Sequence, residues 1–372
     1  MKIVHLVESL ALGGLEHVVL SLAAWQQQQG ESSRIICLFE AGALAARARE
    51  QGIELQVIGK RTGLDWRALW ALRRALRAAG ADVLHTHNAV AHYHAVLASV
   101  GQGMGRIVNT RHGMGVPGGG RVESLYRLAM AGTDAVAFVS RAGRAHFVQG
   151  AGIVPAGKAH VIPNGIVLDT VHARRDEARQ ALLATLGRPS DTLLLGSVGR
   201  LHAVKGHATL LQALQQLRQA GMAVELVLVG EGATRQALLA QAQVLGIAEQ
   251  VHFLGQRADV GALLAAFDVF VLPSLSEGYS LALVEAAAAA LPLVATRVGG
   301  NADIVQDGVN GLLVESQDVA ALTAALRQLL GDAGLRARMG QAGRAWALAH
   351  GSIDAMGRAY QALYTEPARV AR

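Results

Sequence analysis

At 372 residues, 52% hydrophobic and 17% charged, the chain is longer than one hydrophobic core usually supports and too apolar to stay disordered, so two packed domains are expected. Its single cysteine, Cys37, excludes a disulfide framework and any multi-cysteine metal centre. The net charge of +6 lies wholly in the first half: residues 1–170 carry 17 Lys/Arg against 11 Asp/Glu, and residues 171–372 carry 17 of each, which points to two halves with different partners, one of them anionic.

The N-terminus lacks the long apolar stretch of a signal peptide, and Glu8 and Glu16 argue against a transit peptide. Short apolar runs then alternate with amphipathic stretches. Strands are expected over 3–7, 34–39, 53–58, 82–86, 106–110 and 135–139, with helices over 15–28, 43–50 and 66–79. The pattern restarts with strands over 193–198, 224–229, 251–254, 269–272, 293–296 and 312–314, and helices over 207–220, 234–245 and 281–290; further helices close the chain. Continuous apolar strands separated by helices mean βαβ units, hence parallel sheets covered on both faces. The charged stretch 169–190, with Pro189, is the expected linker between domains 1–168 and 191–350; 351–372 is a C-terminal helix with the first domain as a candidate packing partner. The uncharged runs 83–105 and 278–296 are poor membrane spans, the first carrying four histidines and the second broken by Glu285 and Pro292, so a soluble cytoplasmic protein is expected.

Five stretches carry candidate chemistry. Gly13-Gly14-Leu15-Glu16 follows the first strand and opens a helix, where backbone can approach a ligand and unpaired N–H groups face an anion; a plain turn reads equally well. It is not the G-x-G-x-x-G of dinucleotide binding. Gly199-Arg200, with Lys205-Gly206 five residues on, sets two cations over a strand end, suited to a pyrophosphate or simply to solvent. Gly230-Glu231-Gly232 ends the next strand. Glu277 lies in the loop before a helix, beside the N–H groups of Gly278, Ser280 and Leu281, where it can meet sugar hydroxyls or cap the helix. Glu285 falls inside that helix among apolar residues, costly for a carboxylate unless it is paired, ligand-bound or half-exposed.

These motifs resemble those of the retaining, nucleotide-sugar-dependent glycosyltransferases of family four, which have the α/β GT-B fold: two doubly wound Rossmann-like domains facing across a cleft. The resemblance covers nearly the whole chain. It includes His85-Thr86-His87, Pro163-Asn164-Gly165-Ile166 and Gly299-Gly300, and its most specific marker is the spacing from Glu277 to Glu285. It implies that Arg200 and Lys205 bind the donor diphosphate and stabilise the leaving group, Glu285 holds the ribose, and Glu277 meets the donor sugar, with Glu231, Gly278, Ser280 and Leu281 also on the donor. Gly14 lies against the donor phosphate, and Gly13, Glu16, His85 and His87 belong to the acceptor side. His112 sits near the sugar, and Asn164 and Gly165 mark the start of the linker. The donor implied is a nucleoside-diphosphate sugar, with a UDP-sugar favoured. The acceptor is a glycan or lipid-linked intermediate of exopolysaccharide or lipopolysaccharide synthesis, and no cofactor or metal is needed. No Asp-x-Asp motif contradicts the last point. Arg and Lys then do the work of a metal on the leaving diphosphate. No unassigned carboxylate suits double displacement, so front-face displacement, with the leaving phosphate taking the acceptor proton, is expected.

His85, His87, His92 and His94 resemble a metal cluster, yet strand alternation puts only His85 and His87 on one face, while His92 and His94 diverge on a helix; lining of an acceptor crevice is the favoured reading over zinc. The segment 60–77 combines Trp66 and Trp70 with Lys60, Arg61, Arg67, Arg73, Arg74 and Arg77. That is either a sheet-covering helix with a solvated basic face or a dock for the anionic inner leaflet of the cytoplasmic membrane. Two other functions stay open: a nucleotide-sugar epimerase, and a nucleic-acid binder. The second rests only on basic charge and is disfavoured by an aromatic content of 4%, so no nucleic-acid partner is expected.

Overall fold

The computed structural model describes residues 1–63, 65–115, 120–168 and 175–366. It contains two compact units: residues 1–166 together with 353–372, and residues 167–352.

The first unit is built on a parallel sheet of seven strands: β1 (Lys2–Ser9), β2 (Ser32–Glu40), β3 (Glu54–Val57), β4 (Val83–His87), β5 (Arg106–Arg111), β6 (Ala135–Phe138) and β7 (Ala159–Val161), in the order β3-β2-β1-β4-β5-β6-β7. The chain winds outward in both directions from β1 and β4, the switch point where doubly wound sheets open a crevice. Alternation sorts each strand by face. Val4, Leu6, Ile36, Leu38 and Leu84 pack under Leu72 and Leu76 of the helix Trp66–Ala79 and the alanines of the helix Asn88–Ser99. Val7, Ile35 and Cys37 face Val19, Leu20 and Ala23 of the helix Gly14–Gln28. His5, His85 and His87 fall on this second face, and the parallel register sets His5 beside His85.

The helix Ile353–Thr365 belongs to the first unit. Asp354 accepts from the Trp25 indole at 2.6 Å, Tyr360 bonds Thr110 at 2.8 Å, and Tyr364 bonds His85 at 2.7 Å. Gly357 lets the helix press onto Trp25, since a Cβ there would collide with the indole.

The second unit repeats the winding with six parallel strands: β8 (Leu193–Val198), β9 (Val224–Val229), β10 (Val251–Phe253), β11 (Val269–Leu272), β12 (Leu293–Thr296) and β13 (Gly311–Val314), in the order β10-β9-β8-β11-β12-β13. One core of Leu and Val side chains runs beneath the helices His207–Gln219 and Val319–Gly331. The linker assigned to 169–190 needs correction. Residues 169–174 lie outside the described residues, but Arg175–Leu186 is a helix of this unit: it buries Leu182 and Leu183 and anchors Arg179 on buried Asp268 at 2.8 Å. Its charges obscured the two leucines that make it amphipathic. Residues 367–372 of the expected C-terminal helix also lie outside the described residues. No described helix is long and apolar enough to cross a membrane.

Candidate active site

In the second unit the marked residues gather at the carboxyl ends of β8, β9, β11 and β12. After β8 the chain turns through Gly199-Arg200 and reaches Lys205 in a 3₁₀ turn, Ala203–Lys205. Gly206 has φ +68°, and a Cβ there would collide with the Pro273 carbonyl, so glycine is what lets this turn lie against the loop after β11. That closeness sets Lys205 Nζ 2.6 Å from Glu277 Oε1. Ser274 Oγ donates to the same oxygen at 2.7 Å. Glu277 is only 9% exposed, and its Oε2 makes no hydrogen bond among the described residues. Gly299, at φ +51°, packs its Cα against the Glu277 carbonyl, where a Cβ would not fit. Ser280 caps the helix Leu281–Ala288, accepting from Leu283 N–H at 3.4 Å. Arg200 is exposed and makes no ion pair among the described residues, a cation free for an anionic ligand. Glu231 is exposed beside Arg235 at 3.7 Å.

Glu285 is half-buried in that helix with no ion pair or side-chain hydrogen bond among the described residues, and burial lifts its pKa to about 7. A carboxylate left in this state is poised for a partner that no described residue provides.

In the first unit the switch point carries a file of histidines. His5 Nδ1 lies 3.1 Å from His87 Nε2, and His87 Nδ1 lies 3.0 Å from His112 Nε2. The far end rests on Gln26 Oε1, 2.8 Å from His5 Nε2. Burial lowers His5 to about 4 and His112 to about 3, Arg111 adding to the effect on His112, and it drives His85 and His87 well below 6.5. All four rings are therefore neutral at pH 7. His112 is held from both sides: its ring by His87, and its backbone N–H by Asn88 Oδ1 at 3.2 Å. Asn88 takes φ +61° to reach that position. His112 Nδ1 is buried without a hydrogen-bond partner among the described residues. Beside it a cavity of about 490 Å³ is lined by Glu8, Asn88, Arg111, Arg121 and Glu123. Gly13 and Gly14 start the helix after β1, and a Cβ on Gly13 would run into the Glu16 carboxylate.

The sequence matches two family models, glycosyltransferase family 4 over residues 12–170 and glycosyl transferases group 1 over 178–346, which together take in most of both units. The chain belongs to the family 4 glycosyltransferases. It is 29% identical over 319 residues, 83% of this chain and 72% of the relative, to a D-inositol 3-phosphate glycosyltransferase of Xylanimonas cellulosilytica. It is 35% identical over 185 residues to the lipopolysaccharide core biosynthesis glycosyltransferase LpsE of Rhizobium meliloti, a match covering 50% of this chain and 53% of LpsE. Among solved structures, Anabaena HepE in complex with UDP aligns over 99% of this chain and 100% of its own with a TM-score of 0.87 at 23% identity, a likeness of fold.

As a family 4 glycosyltransferase the chain brings Arg200, Lys205, Glu231, Glu277, Gly278, Ser280, Leu281 and Glu285 to one end of the second sheet, and Gly13, Gly14, Glu16, His87 and His112 to one end of the first. His85 departs from its expected place on an acceptor crevice. It is 0% exposed, with Nε2 on Thr110 and Nδ1 on Tyr364, and so braces the sheet against the last helix. His87, 2% exposed with both ring nitrogens on other histidines, likewise leaves the acceptor contact expected of it. His92 is likewise buried, bonded to Thr86 and Thr133, and His94 bonds the Val90 carbonyl. Helix packing turns His92 inward, and His94 is half-buried with one ring nitrogen tied by an intrahelical bond. His5, Gln26 and Asn88 escaped the sequence reading. A histidine inside the apolar run of β1 was the one visible signal.

Proposed function

We propose that this glycosyltransferase is a retaining, metal-independent enzyme that moves a sugar from a nucleoside diphosphate, UDP being the favoured carrier, to a glycan or lipid-linked acceptor of cell-surface polysaccharide synthesis. The observation that carries the reading is the Lys205–Glu277 pair at 2.6 Å, with Arg200, unpaired among the described residues, at the same end of the sheet. Diphosphate departure places negative charge where Lys205 and Arg200 sit, and fixed cations stabilise that charge without reorganising. Glu277 spends Oε1 on Lys205 and Ser274, which suits Oε2 to holding sugar hydroxyls rather than attacking carbon. Front-face displacement follows: the leaving phosphate oxygen takes the acceptor proton as the new glycosidic bond forms. Glu285 would accept from the ribose hydroxyls, and His112 from a hydroxyl of the transferred sugar. The cavity beside Asn88 and Arg111 would receive the acceptor. Support for the donor and pathway comes from HepE, solved with UDP, and from LpsE, a lipopolysaccharide core enzyme by its name.

We place the enzyme in the cytoplasm, peripheral on the inner leaflet. Trp66 and Trp70 are 63% and 64% exposed on the helix that also exposes Arg67, Arg74 and Arg77. Arg73 is tied to the Ala98 and Val100 carbonyls and takes no part. Each free arginine near an anionic surface contributes about 1 kcal/mol.

The test is a thermal-shift panel of UDP-, GDP-, ADP- and dTDP-sugars, since a ligand of the native state raises its apparent stability. One sugar nucleotide should stand out. With that donor, Lys205→Ala and Glu277→Ala should each lower transfer about 100-fold or more while the protein stays folded. Near-normal turnover in both variants sinks the assignment. Epimerised donor in the absence of acceptor would favour the epimerase instead.

A further inference from the structure

We propose that Gln26, His5 and His87 form a directional hydrogen-bond relay that fixes His112 as the tautomer with its proton on Nε2, leaving Nδ1 as a bare lone pair that accepts a hydrogen from a substrate hydroxyl. The inference rests on the reading of His112 as a sugar contact and adds to it the direction of that contact and the residues that set it.

The direction follows from one end. Gln26 Oε1 accepts from Ser33 Oγ at 2.9 Å and lies 2.8 Å from His5 Nε2. The amide nitrogen turns the other way, toward the Tyr364 hydroxyl at 3.4 Å. A carbonyl oxygen cannot donate, so the hydrogen between Gln26 and His5 belongs to His5 Nε2. A neutral imidazole has one N–H, which leaves His5 Nδ1 an acceptor. The only hydrogen available at its 3.1 Å contact is on His87 Nε2. His87 Nδ1 is then an acceptor in turn, and its 3.0 Å contact takes the hydrogen of His112 Nε2. Three rings pass one polarity from Gln26 to His112 Nδ1, which is buried with no partner among the described residues. Reversing any ring would set two N–H groups, or two lone pairs, against each other. Burial keeps the rings neutral and so preserves the sequence of donors and acceptors. An unsatisfied buried acceptor is costly, which explains why a substrate hydroxyl is welcome there. Gln26, His5 and His87 are positioning residues and touch no substrate.

The same rings offer another fate. One nitrogen each from His5, His85 and His87 lies within 4.8 Å of the others, close enough for a shared cation. The relay leaves none of the six nitrogens of these rings free: His85 bonds Thr110 and Tyr364, and the other two bond within the file.

The experiment is ¹⁵N NMR of the histidine-labelled full chain, which reads tautomers directly. His5, His87 and His112 should all be neutral with the proton on Nε2 at pH 7. A proton on His112 Nδ1, a charged His112, or loss of the His5 and His87 Nε2–H signals to a stoichiometric bound metal would each overturn the relay. In Gln26→Met the anchor is gone: His112 should become a mixture of tautomers, and kcat/KM should fall about 2- to 10-fold. An unmixed tautomer in the folded variant refutes Gln26 as the anchor. If Gln26→Met does not fold, the wild-type spectrum decides alone. Adding the nucleotide sugar identified by thermal shift should move the His112 Nδ1 signal, while the bare nucleoside diphosphate should not. An unmoved signal with the tautomers as expected refutes the sugar contact and leaves the relay standing.

Discussion

Replacing Glu285 by glutamine should make the free enzyme more stable at alkaline pH and worse at holding its donor. The carboxyl of Glu285 is lifted by burial from 4.5 to about 7, and among the described residues nothing compensates it. Its folded-state pKa lies above the unfolded value, so between these pH values the native state holds more protons than the unfolded one. Stability therefore falls as pH rises through about 4.5 to 7 and levels off above that range. A shift of this size corresponds to about 3 kcal/mol, reduced to about 2 because the side chain is only half-buried and water screens part of the charge. Glu285→Gln keeps the shape and removes the ionisation. At pH 8 it should raise the melting temperature by roughly 4–8 °C, the scale expected for a unit of this size, and at pH 4.5 by almost nothing. The same change removes a charged acceptor from the proposed ribose contact, worth about 1.5–3 kcal/mol, so donor affinity should fall by roughly 10- to 150-fold. Differential scanning calorimetry from pH 4.5 to 8.5, with and without donor, measures both effects. Equal stability of wild type and variant at pH 8 would refute the account of Glu285 as an uncompensated buried carboxylate. A stabilised variant with unchanged donor affinity would refute only its role on the ribose.

Gly299→Ala should disable donor binding through the Glu277 loop: its φ of +51° and the collision of a Cβ with the Glu277 carbonyl require backbone movement costing about 1–3 kcal/mol, visible as a lower melting temperature and a lost donor-induced shift. If donor still stabilises the variant as it does wild type, the loop does not depend on this close approach. Trp66→Ser with Trp70→Ser should leave the fold intact, both side chains being exposed, and abolish co-sedimentation with anionic vesicles; binding insensitive to anionic lipid or to these changes rejects the inner-leaflet dock. Cys37 is buried with its thiol pushed up to about 12, so iodoacetamide should label it only in denaturant, and rapid labelling of native protein would contradict its packing beneath the helix Gly14–Gln28.

What could be read in the sequence followed from pattern, and what could not followed from register. Strands buried on both faces stand out as apolar runs, so β1, β8, β9, β11 and β12 were visible. β7 is three residues with His160 in the middle, too short and too polar to form a run. The helix Asn88–Ser99 carries no charged residue and packs on more than one side, so no polar face set a period for it. Most residues of the proposed donor side were legible because they sit within a few positions of a glycine or a strand end; Glu285, inside a helix, stood out instead as a carboxylate among apolar neighbours. Gln26 did not. It is one of four consecutive glutamines, 26–29, and nothing in that run distinguishes it. Only the seating of the helix Gly14–Gln28 on β1 brings residue 26, and not its neighbours, to His5.

The placement of charge in the two units argues for a division of labour between them. The first unit carries the whole positive excess, yet the file at its switch point is electrically neutral because burial strips the histidines of their protons. A neutral acceptor in a dry setting discriminates by hydrogen-bond direction and suits hydroxyl groups, which bring a hydrogen and no charge. The second unit, with 14 Lys/Arg against 16 Asp/Glu, is slightly negative in sum, yet it leaves Arg200 unpaired among the described residues and sets Lys205 against one oxygen of Glu277. Fixed cations suit a diphosphate, whose charge grows as it departs. The net charges alone would assign the anionic ligand to the first unit. Burial reverses that assignment in the proposed reading, in which the exposed arginines of the helix Trp66–Ala79 serve the membrane dock and not the transfer.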